Sequence, residues 1–158
     1  MTELTYTDAV QRNSQRIFLI ALSFTRRQAD AEDVMQNVFL KLWKHRDKLT
    51  DREHIDRWLT RVTVNESRSL LRLRRHEADF DALEQYCAAP MEPESRELIS
   101  LVMALPRSQR TVIHLYYYEE LSVREIAALL HLTESAVKKR LSRGRESLRA
   151  IWKENEYE

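Results

Sequence analysis

The chain has 158 residues, of which 43% are hydrophobic and 32% are charged, and its formal net charge is +1. Its longest apolar run, from Ile17 to Leu22, is far shorter than the ~20 residues that span a bilayer, so we expect no direct membrane insertion. One glycine and three prolines supply too few turn residues for a sheet protein or a Gly-rich phosphate loop. Composition therefore predicts an all-α fold.

The single cysteine, Cys87, excludes an internal disulfide, and no Cys/His cluster has the spacing of a zinc site. The first residues also lack the basic start and apolar run of a secretory signal. We expect a cytoplasmic protein that needs no metal and no cofactor.

The first part of the chain has the patterns of two amphipathic helices. Thr7 is a candidate N-cap for a helix over residues 7–25, and Asp30 opens a second helix with Asp33 in its first turn. The apolar residues of the second helix recur with a 3.6-residue period and predict one wide buried stripe: Val34, Met35, Val38, Phe39, Leu42 and Trp43. Leu40 lies off that stripe, and we expect it to be exposed.

A third helix, over residues 54–76, is strongly cationic. Between residues 57 and 76 the only acid is Glu66, and the net charge is +5 because of six arginines: Arg57, Arg61, Arg68, Arg72, Arg74 and Arg75. Trp58 has the spacing of a core residue, which we favour over a stacking role.

Residues 78–93 break the helical periodicity. They contain four acidic residues, no basic residue and two prolines. We interpret them as an acidic linker between two small helical domains, 1–77 and 94–158. Its carboxylates either shield the cationic stretches on both sides when no DNA is bound, follow a basic channel in the polymerase, or form a solubilising spacer.

The second domain is predicted to contain four helices and to end in a helix-turn-helix. After helices over 94–104 and 107–118, Ser122 is an N-cap candidate, and Glu125 has the spacing of a capping box. His131 then forms the turn, and Thr133 is the N-cap candidate of the last helix. From residue 138 to residue 149 that helix has six basic residues and one acid, a net charge of +5. Such a helix suits the major groove of DNA, and a solvated surface helix is the alternative.

Three segments resemble the extracytoplasmic-function group of the sigma-70 family, the small two-domain bacterial initiation factors. DAEDVMQNVFLKLWKH, residues 30–45, resembles the helix that binds core RNA polymerase. DRWLTRVTVNESRSLLRLRRH, residues 56–76, resembles the reader of the −10 promoter element, and residues 105–149 resemble the reader of the −35 element. The resemblance implies binding to bacterial core RNA polymerase and promoter DNA, DNA opening and transcription initiation, and control by an anti-sigma factor.

The −35 candidates follow from the depth at which a recognition helix enters the groove, and no base contact is carried over from the family. For the −35 element we expect base-edge contacts from Glu134, Ser135, Lys138 and Lys139. Phosphate contacts are expected from Arg140, Arg143 and Arg145. For the −10 element we expect Asn65 to read a base and three arginines to follow the strand: Arg61, Arg68 and Arg72. The candidate core-polymerase contacts flank the stripe of the second helix: Asp33, Gln36, Asn37 and Leu40.

Two other classes of protein are alternatives to this interpretation. A conventional helix-turn-helix regulator would bind promoter duplex alone, usually as a dimer, whereas a sigma factor needs core polymerase first. An enzyme has no support, because the chain contains no nucleophile elbow, phosphate loop or metal-ligand cluster. One departure from the family is Gly144, where alanine is common; it weakens a helix by ~1 kcal/mol relative to alanine.

Overall fold

The computed structural model describes residues 2–73 and 93–156, which are helical apart from short connections. The helices are α1 (Glu3–Thr25), α2 (Gln28–Lys44), a 3-10 helix (Arg46–Lys48), α3 (Arg52–Leu73), α4 (Pro93–Met103), α5 (Arg107–Tyr117), α6 (Val123–Leu130) and α7 (Glu134–Glu156). They divide into two compact units, α1 to α3 and α4 to α7. The predicted all-α fold of two helical domains, the second with four helices, is confirmed. Of the predicted linker only Pro93, the first residue of α4, lies within the described residues.

In the first unit each helix packs against the other two. Its core consists of completely buried aliphatic side chains, Ile17, Ile20 and Leu22 of α1, Val38 and Leu42 of α2, and Leu59 and Val64 of α3. The predicted stripe of α2 is buried at Val34, Val38, Phe39 and Leu42, whereas Met35 and Trp43 are partly exposed.

Helix α1 begins five residues earlier than the Thr7 cap predicts. The N-cap is Thr2, whose hydroxyl accepts a hydrogen bond from the backbone N–H of Thr5. The additional turn is stabilised by tertiary contacts of Tyr6, whose hydroxyl donates to the carbonyl of Phe39 at 2.9 Å and whose ring meets the Trp43 ring edge-on at 5.0 Å. Local propensity could not reveal contacts with a helix 33 residues away.

Helix α2 also begins early, at Gln28 instead of Asp30. Arg26 has a left-handed backbone, with φ of 54°, which ends α1 and turns the chain directly into α2. Asp30 therefore lies in the first turn and is buried, and Asp33 lies one turn later and is exposed. The core position expected for Trp58 is also wrong, because its ring is partly exposed, 5.7 Å from the His45 ring.

A polar seam fixes α3 beside α1. Arg12 donates to Asp56 at 2.8 Å, and Asn13 donates to the same carboxylate at 3.3 Å. One turn further on, Arg16 donates to the Thr60 hydroxyl at 2.6 Å. Because these bonds recur turn by turn, they set the register of α3 and hence the direction in which its cationic side chains point.

In the second unit α5 packs against α4, α6 and α7. The apolar pattern of α5 predicts that Val112, Leu115 and Tyr116 point inward; Val112 and Leu115 are buried, and Tyr116 is partly exposed. Ile113, Arg110 and His114 are buried as well, although a lone histidine of this kind is expected at the surface or in a turn. The Arg110 side chain donates to the carbonyl of Leu105, in the connection that follows α4, at 3.0 Å. This bond fixes the angle between α4 and α5 from within the core.

Candidate nucleic-acid interface

The turn between α6 and α7 has the predicted chemistry. Ser122 and Glu125 form both bonds of a capping box at the start of α6, at 3.0 and 3.1 Å. His131 ends α6 with φ of 56°, and the Thr133 hydroxyl accepts from the backbone N–H of Ala136 at 3.1 Å. The backbone of His131 thus ends α6 and the side chain of Thr133 caps α7, so the direction in which α7 leaves the turn is set by local bonds.

Helix α7 has one buried face and one cationic face. Val137, Leu141 and Gly144 are buried against the unit. The predicted base-edge residues, Glu134, Ser135, Lys138 and Lys139, are all exposed, as is Arg143, whereas Arg140 and Arg145 are partly buried. Within residues 93–156 no lysine or arginine of α7 is in an ion pair, so their charge is available to an external anion.

Helix α5 crosses α7 at Gly144. Gln109 on α5 accepts a hydrogen bond from Ser147 at 3.0 Å, and Ile113 lies against Gly144. One turn later Tyr117 accepts a hydrogen bond from Arg145 at 2.6 Å. Three successive turns of α5 therefore contact α7 between Gly144 and Ser147.

The close approach explains why glycine occupies position 144. A Cβ atom there would lie 2.7 Å from Ile113 Cγ1 and 3.0 Å from Cδ1, inside van der Waals contact. The glycine weakens the helix, as the sequence indicates, but packing requires it.

Arg145 differs from the other predicted phosphate contacts in having partners within its own unit. Its Nε–H donates to the Tyr117 hydroxyl, and its guanidinium carbon lies 5.7 Å from the ring centroids of both Tyr116 and Tyr117. Tyr117 belongs to no motif that the sequence displays. The signal was its spacing of four from Ile113, which places both on one side of α5.

The predicted −10 residues lie along one line of α3. Arg61, Asn65 and Arg72 are exposed, and Arg68 is partly buried and interacts within the chain. Their spacings of four, three and four residues align them on one side of the helix. Leu59, Thr63 and Ser67 are buried on another side. A Lys41–Glu66 ion pair connects α2 to α3 beside this line.

The predicted core-polymerase residues form an exposed stripe on α2. Asp33, Gln36, Asn37 and Leu40 are all exposed, and the Leu40 residue is 58% exposed. Gln36 and Leu40 also line a shallow cavity of about 350 Å³ with Tyr6, Met35 and Phe39. An exposed leucine beside an apolar depression is typical of a helix-docking surface.

His114 is the most perturbed titratable group of the second unit. Burial lowers its pKa to about 4, its ring stacks on Tyr118 at 5.0 Å, and its Nδ1 atom has no hydrogen-bond partner among the described residues. It lies inside the unit, so we assign it to stability and not to DNA contact.

Over residues 2–73 and 93–156, no cluster of His, Cys, Asp and Glu has a geometry that would hold a metal ion. The helices in those two ranges are also too short or too polar to cross a membrane.

The two units match two parts of one family. Residues 9–77 match Sigma-70 region 2, and residues 95–148 match Sigma-70, region 4. The chain belongs to the extracytoplasmic-function group of the sigma-70 family. Region 2 thus covers the candidate residues on α2 and α3, and region 4 covers those on α7.

Named relatives agree with this assignment. This sigma factor is 34% identical over 143 residues to the probable RNA polymerase sigma factor RfaY of Xanthomonas campestris, matching over 82% of its own length. It spans only 36% of that longer relative. It is 27% identical over 162 residues to the ECF RNA polymerase sigma factor SigW of Bacillus subtilis. That alignment covers 91% of this chain and 87% of SigW.

The fold also matches a solved sigma factor. The structure of RpoE in complex with the anti-sigma factor NepR from Bartonella quintana aligns with a TM-score of 0.69 and 21% identity, over 94% of this chain and 97% of RpoE. At this identity the likeness supports the two-domain helical fold.

Proposed function

We propose that this sigma factor binds bacterial core RNA polymerase through α2, holds the −10 element on α3 and reads the −35 element with α7. In this proposal residues 1–77 form the core-binding and −10 domain, 78–93 the linker and 94–158 the −35 domain. The observation that carries it is the exposure of most candidate residues on three helices whose other faces are buried; only Arg68, Arg140 and Arg145 are partly buried.

On α7 the chemistry divides into base reading and phosphate binding. Glu134, Ser135, Lys138 and Lys139 occupy the first two turns, which enter the major groove most deeply. Arg140, Arg143 and Arg145 follow, where a helix leaving the groove meets the backbone. Phosphate contacts supply affinity that falls with salt, and base contacts supply sequence preference.

On α3 the proposal concerns single-stranded DNA. Separating a base from its stack costs a few kcal/mol, and capture of the exposed base offsets that cost. The exposed Asn65 amide has a donor and an acceptor for a base edge. Arg61, Arg68 and Arg72, on the same line of α3, follow the backbone of that strand.

Core binding is tested at Leu40. Replacing this exposed leucine by serine should lower the affinity for core polymerase, because it removes apolar surface beside the cavity. Leu73→Ser is the matched control, since that residue of α3 is 86% exposed and lies off the α2 stripe. Pull-down of core polymerase by each full-length variant measures the effect, and equal retention by both variants would reject the α2 assignment.

The −10 and −35 assignments are tested in a reconstituted holoenzyme. Core polymerase with the full chain transcribes a library of genomic fragments from the source organism, and the 5′ ends of the transcripts map its promoters. Asn65→Ala should reduce opening more than duplex binding, and Lys138→Gln with Lys139→Gln should reduce duplex binding. Unchanged transcription by both variants would reject both surfaces.

We further propose an anti-sigma factor as a partner, and action in the cytoplasm beside the polymerase. The family resemblance supports the partner, and the similar fold of RpoE was solved with such a factor bound. The proposed role of this chain as an initiation factor assigns no catalytic reaction to it. Co-purification from the source organism, with and without inducing stress, tests this partnership.

A further inference from the structure

We propose that Tyr117 is a positioning residue for DNA binding: its hydroxyl holds Arg145 so that the two terminal nitrogens of the guanidinium face a phosphate of the −35 duplex. The inference rests on the proposed function of α7 and adds a residue on α5 to it. Arg145 lies three turns of α7 beyond Glu134, outside the recognition turn itself, and Tyr117 reaches it from the end of α5.

The contact uses only one of the donors of Arg145. Its Nε–H donates to Tyr117 Oη at 2.6 Å, and neither terminal nitrogen has a hydrogen-bond partner among residues 2–73 and 93–156. No carboxylate compensates its charge there. A guanidinium that keeps its planar outer edge free has the geometry that binds a phosphate with two parallel hydrogen bonds.

Aromatic packing holds the same group in place. The rings of Tyr116 and Tyr117 meet edge-on at 4.9 Å, and the guanidinium carbon lies 5.7 Å from each centroid. Tyr117 nevertheless remains 50% exposed, so the cluster is open to solvent and to a ligand. A cation fixed at the surface by two rings and one hydrogen bond is pre-organised for an anion.

The position of Arg145 favours a DNA phosphate over another anion. It lies seven residues after Lys138 and four before Arg149, so the three cations form one row along α7. The row is about 16 Å long, which is several phosphate spacings of a duplex strand. A single small anion would use one of these cations, whereas a DNA duplex can contact the whole row, Lys138 at a base edge and Arg145 at a phosphate.

The test compares tyrosine hydroxyls in the reconstituted holoenzyme. The probe is a duplex that carries the −35 half of a mapped promoter and ends before the −10 element, so that no opening occurs. Tyr117→Phe removes the hydroxyl and keeps the ring, and we expect about 2- to 10-fold weaker binding because Arg145 loses its fixed rotamer. Tyr116→Phe is the matched control, since its ring lies at the same distance from Arg145 but its hydroxyl does not bond to it; it should bind as wild type.

Arg145 variants separate this role from a purely structural one. Arg145→Gln should reduce the slope of log K against log salt by about one unit, and in that background Tyr117→Phe should have no further effect. Arg145→Lys should retain the slope of log K against log salt, and adding Tyr117→Phe to that variant should leave its binding of the duplex unchanged. The inference would be overturned if Tyr117→Phe bound the duplex as tightly as wild type. It would also be overturned if Tyr117→Phe weakened binding by the same factor in an Arg145 variant as in wild type.

The outcome is distinguishable from failure of the proposed function. If Lys138→Gln with Lys139→Gln weakens binding while Tyr117→Phe leaves it unchanged, only the Tyr117 role is rejected. If all of these variants bind the −35 duplex as wild type does, the α7 assignment itself is rejected and this inference with it.

Discussion

Substitution of Gly144 by alanine sets helix propensity against packing at the point where α5 crosses α7. Alanine in a helix interior is favoured over glycine by about 1 kcal/mol. The new Cβ atom, however, would lie 2.7 Å from Ile113 Cγ1, where carbon atoms normally stay 3.5–4.0 Å apart. Ile113 is 1% exposed and cannot move into solvent, so its side chain must adopt a poorer rotamer or α5 must shift.

Overpacking of this kind costs about 1–3 kcal/mol, which exceeds the propensity gain. We therefore expect Gly144→Ala to lower the free energy of unfolding of the second unit by about 1 kcal/mol net. Ser142→Ala, at an exposed position of the same helix, is the control and should stabilise slightly. Native-state hydrogen exchange of the α5 and α7 amides in the full chain measures both changes without assuming that the two units unfold together.

In a second background, Ile113→Ala, the effect of Gly144→Ala on stability should reverse its sign. Ile113→Ala removes both atoms that the new methyl group meets, so in that background Gly144→Ala should stabilise, by up to about 1 kcal/mol. Such a double-mutant cycle gives a coupling well above the ~0.5 kcal/mol expected of independent sites. Additive effects, or a stabilising Gly144→Ala in the wild-type background, would refute the packing explanation.

Three further predictions concern stability and DNA affinity. Ser122→Ala removes the capping box and should reduce the protection of the α6 amides by about 1 kcal/mol, measured by hydrogen exchange, whereas unchanged protection would count against the cap. Burial lowers the pKa of His114 to about 4, so the unfolded chain binds a proton between pH 6.5 and pH 4 that the folded unit does not. The free energy of unfolding should therefore be at its highest above pH 6.5 and fall by about 3 kcal/mol as the pH drops to 4. Urea titrations of wild type and His114→Gln across this pH range test the prediction. If the two proteins lose stability in parallel as the pH falls, the prediction is contradicted. Arg143→Gln, at an exposed position of α7, should weaken promoter binding evenly across sequences and reduce the salt slope by about one unit, and a change in sequence preference would instead make it a base contact.

The elements that the sequence predicted best are those governed by local chemistry. The capping box at Ser122, the turn at His131 and the cap at Thr133 depend on residues within a few positions of one another, and all three are confirmed. The buried stripe of α2 and the exposure of Leu40 follow from helical periodicity and are largely confirmed as well.

The features that the sequence did not predict depend on contacts between distant segments. The early start of α1 depends on Tyr6 reaching α2, and the requirement for Gly144 depends on Ile113, 31 residues earlier. Burial of Arg110 and His114 follows from the central place of α5, which periodicity alone does not assign to polar residues. The bond from Arg145 to Tyr117 likewise requires α5 to pack against α7, 28 residues apart in the chain. The base and phosphate roles remain predictions, because they concern a partner that lies outside the chain.

Run-off transcription with purified core RNA polymerase tests the central claim most directly. The account predicts that core polymerase alone produces no discrete transcripts from the fragment library, and that addition of the full chain produces defined 5′ ends preceded by shared −10 and −35 elements. Transcripts that stay undetected with the chain present, while the chain alone binds duplex DNA tightly as a dimer, would contradict it and identify a conventional helix-turn-helix regulator.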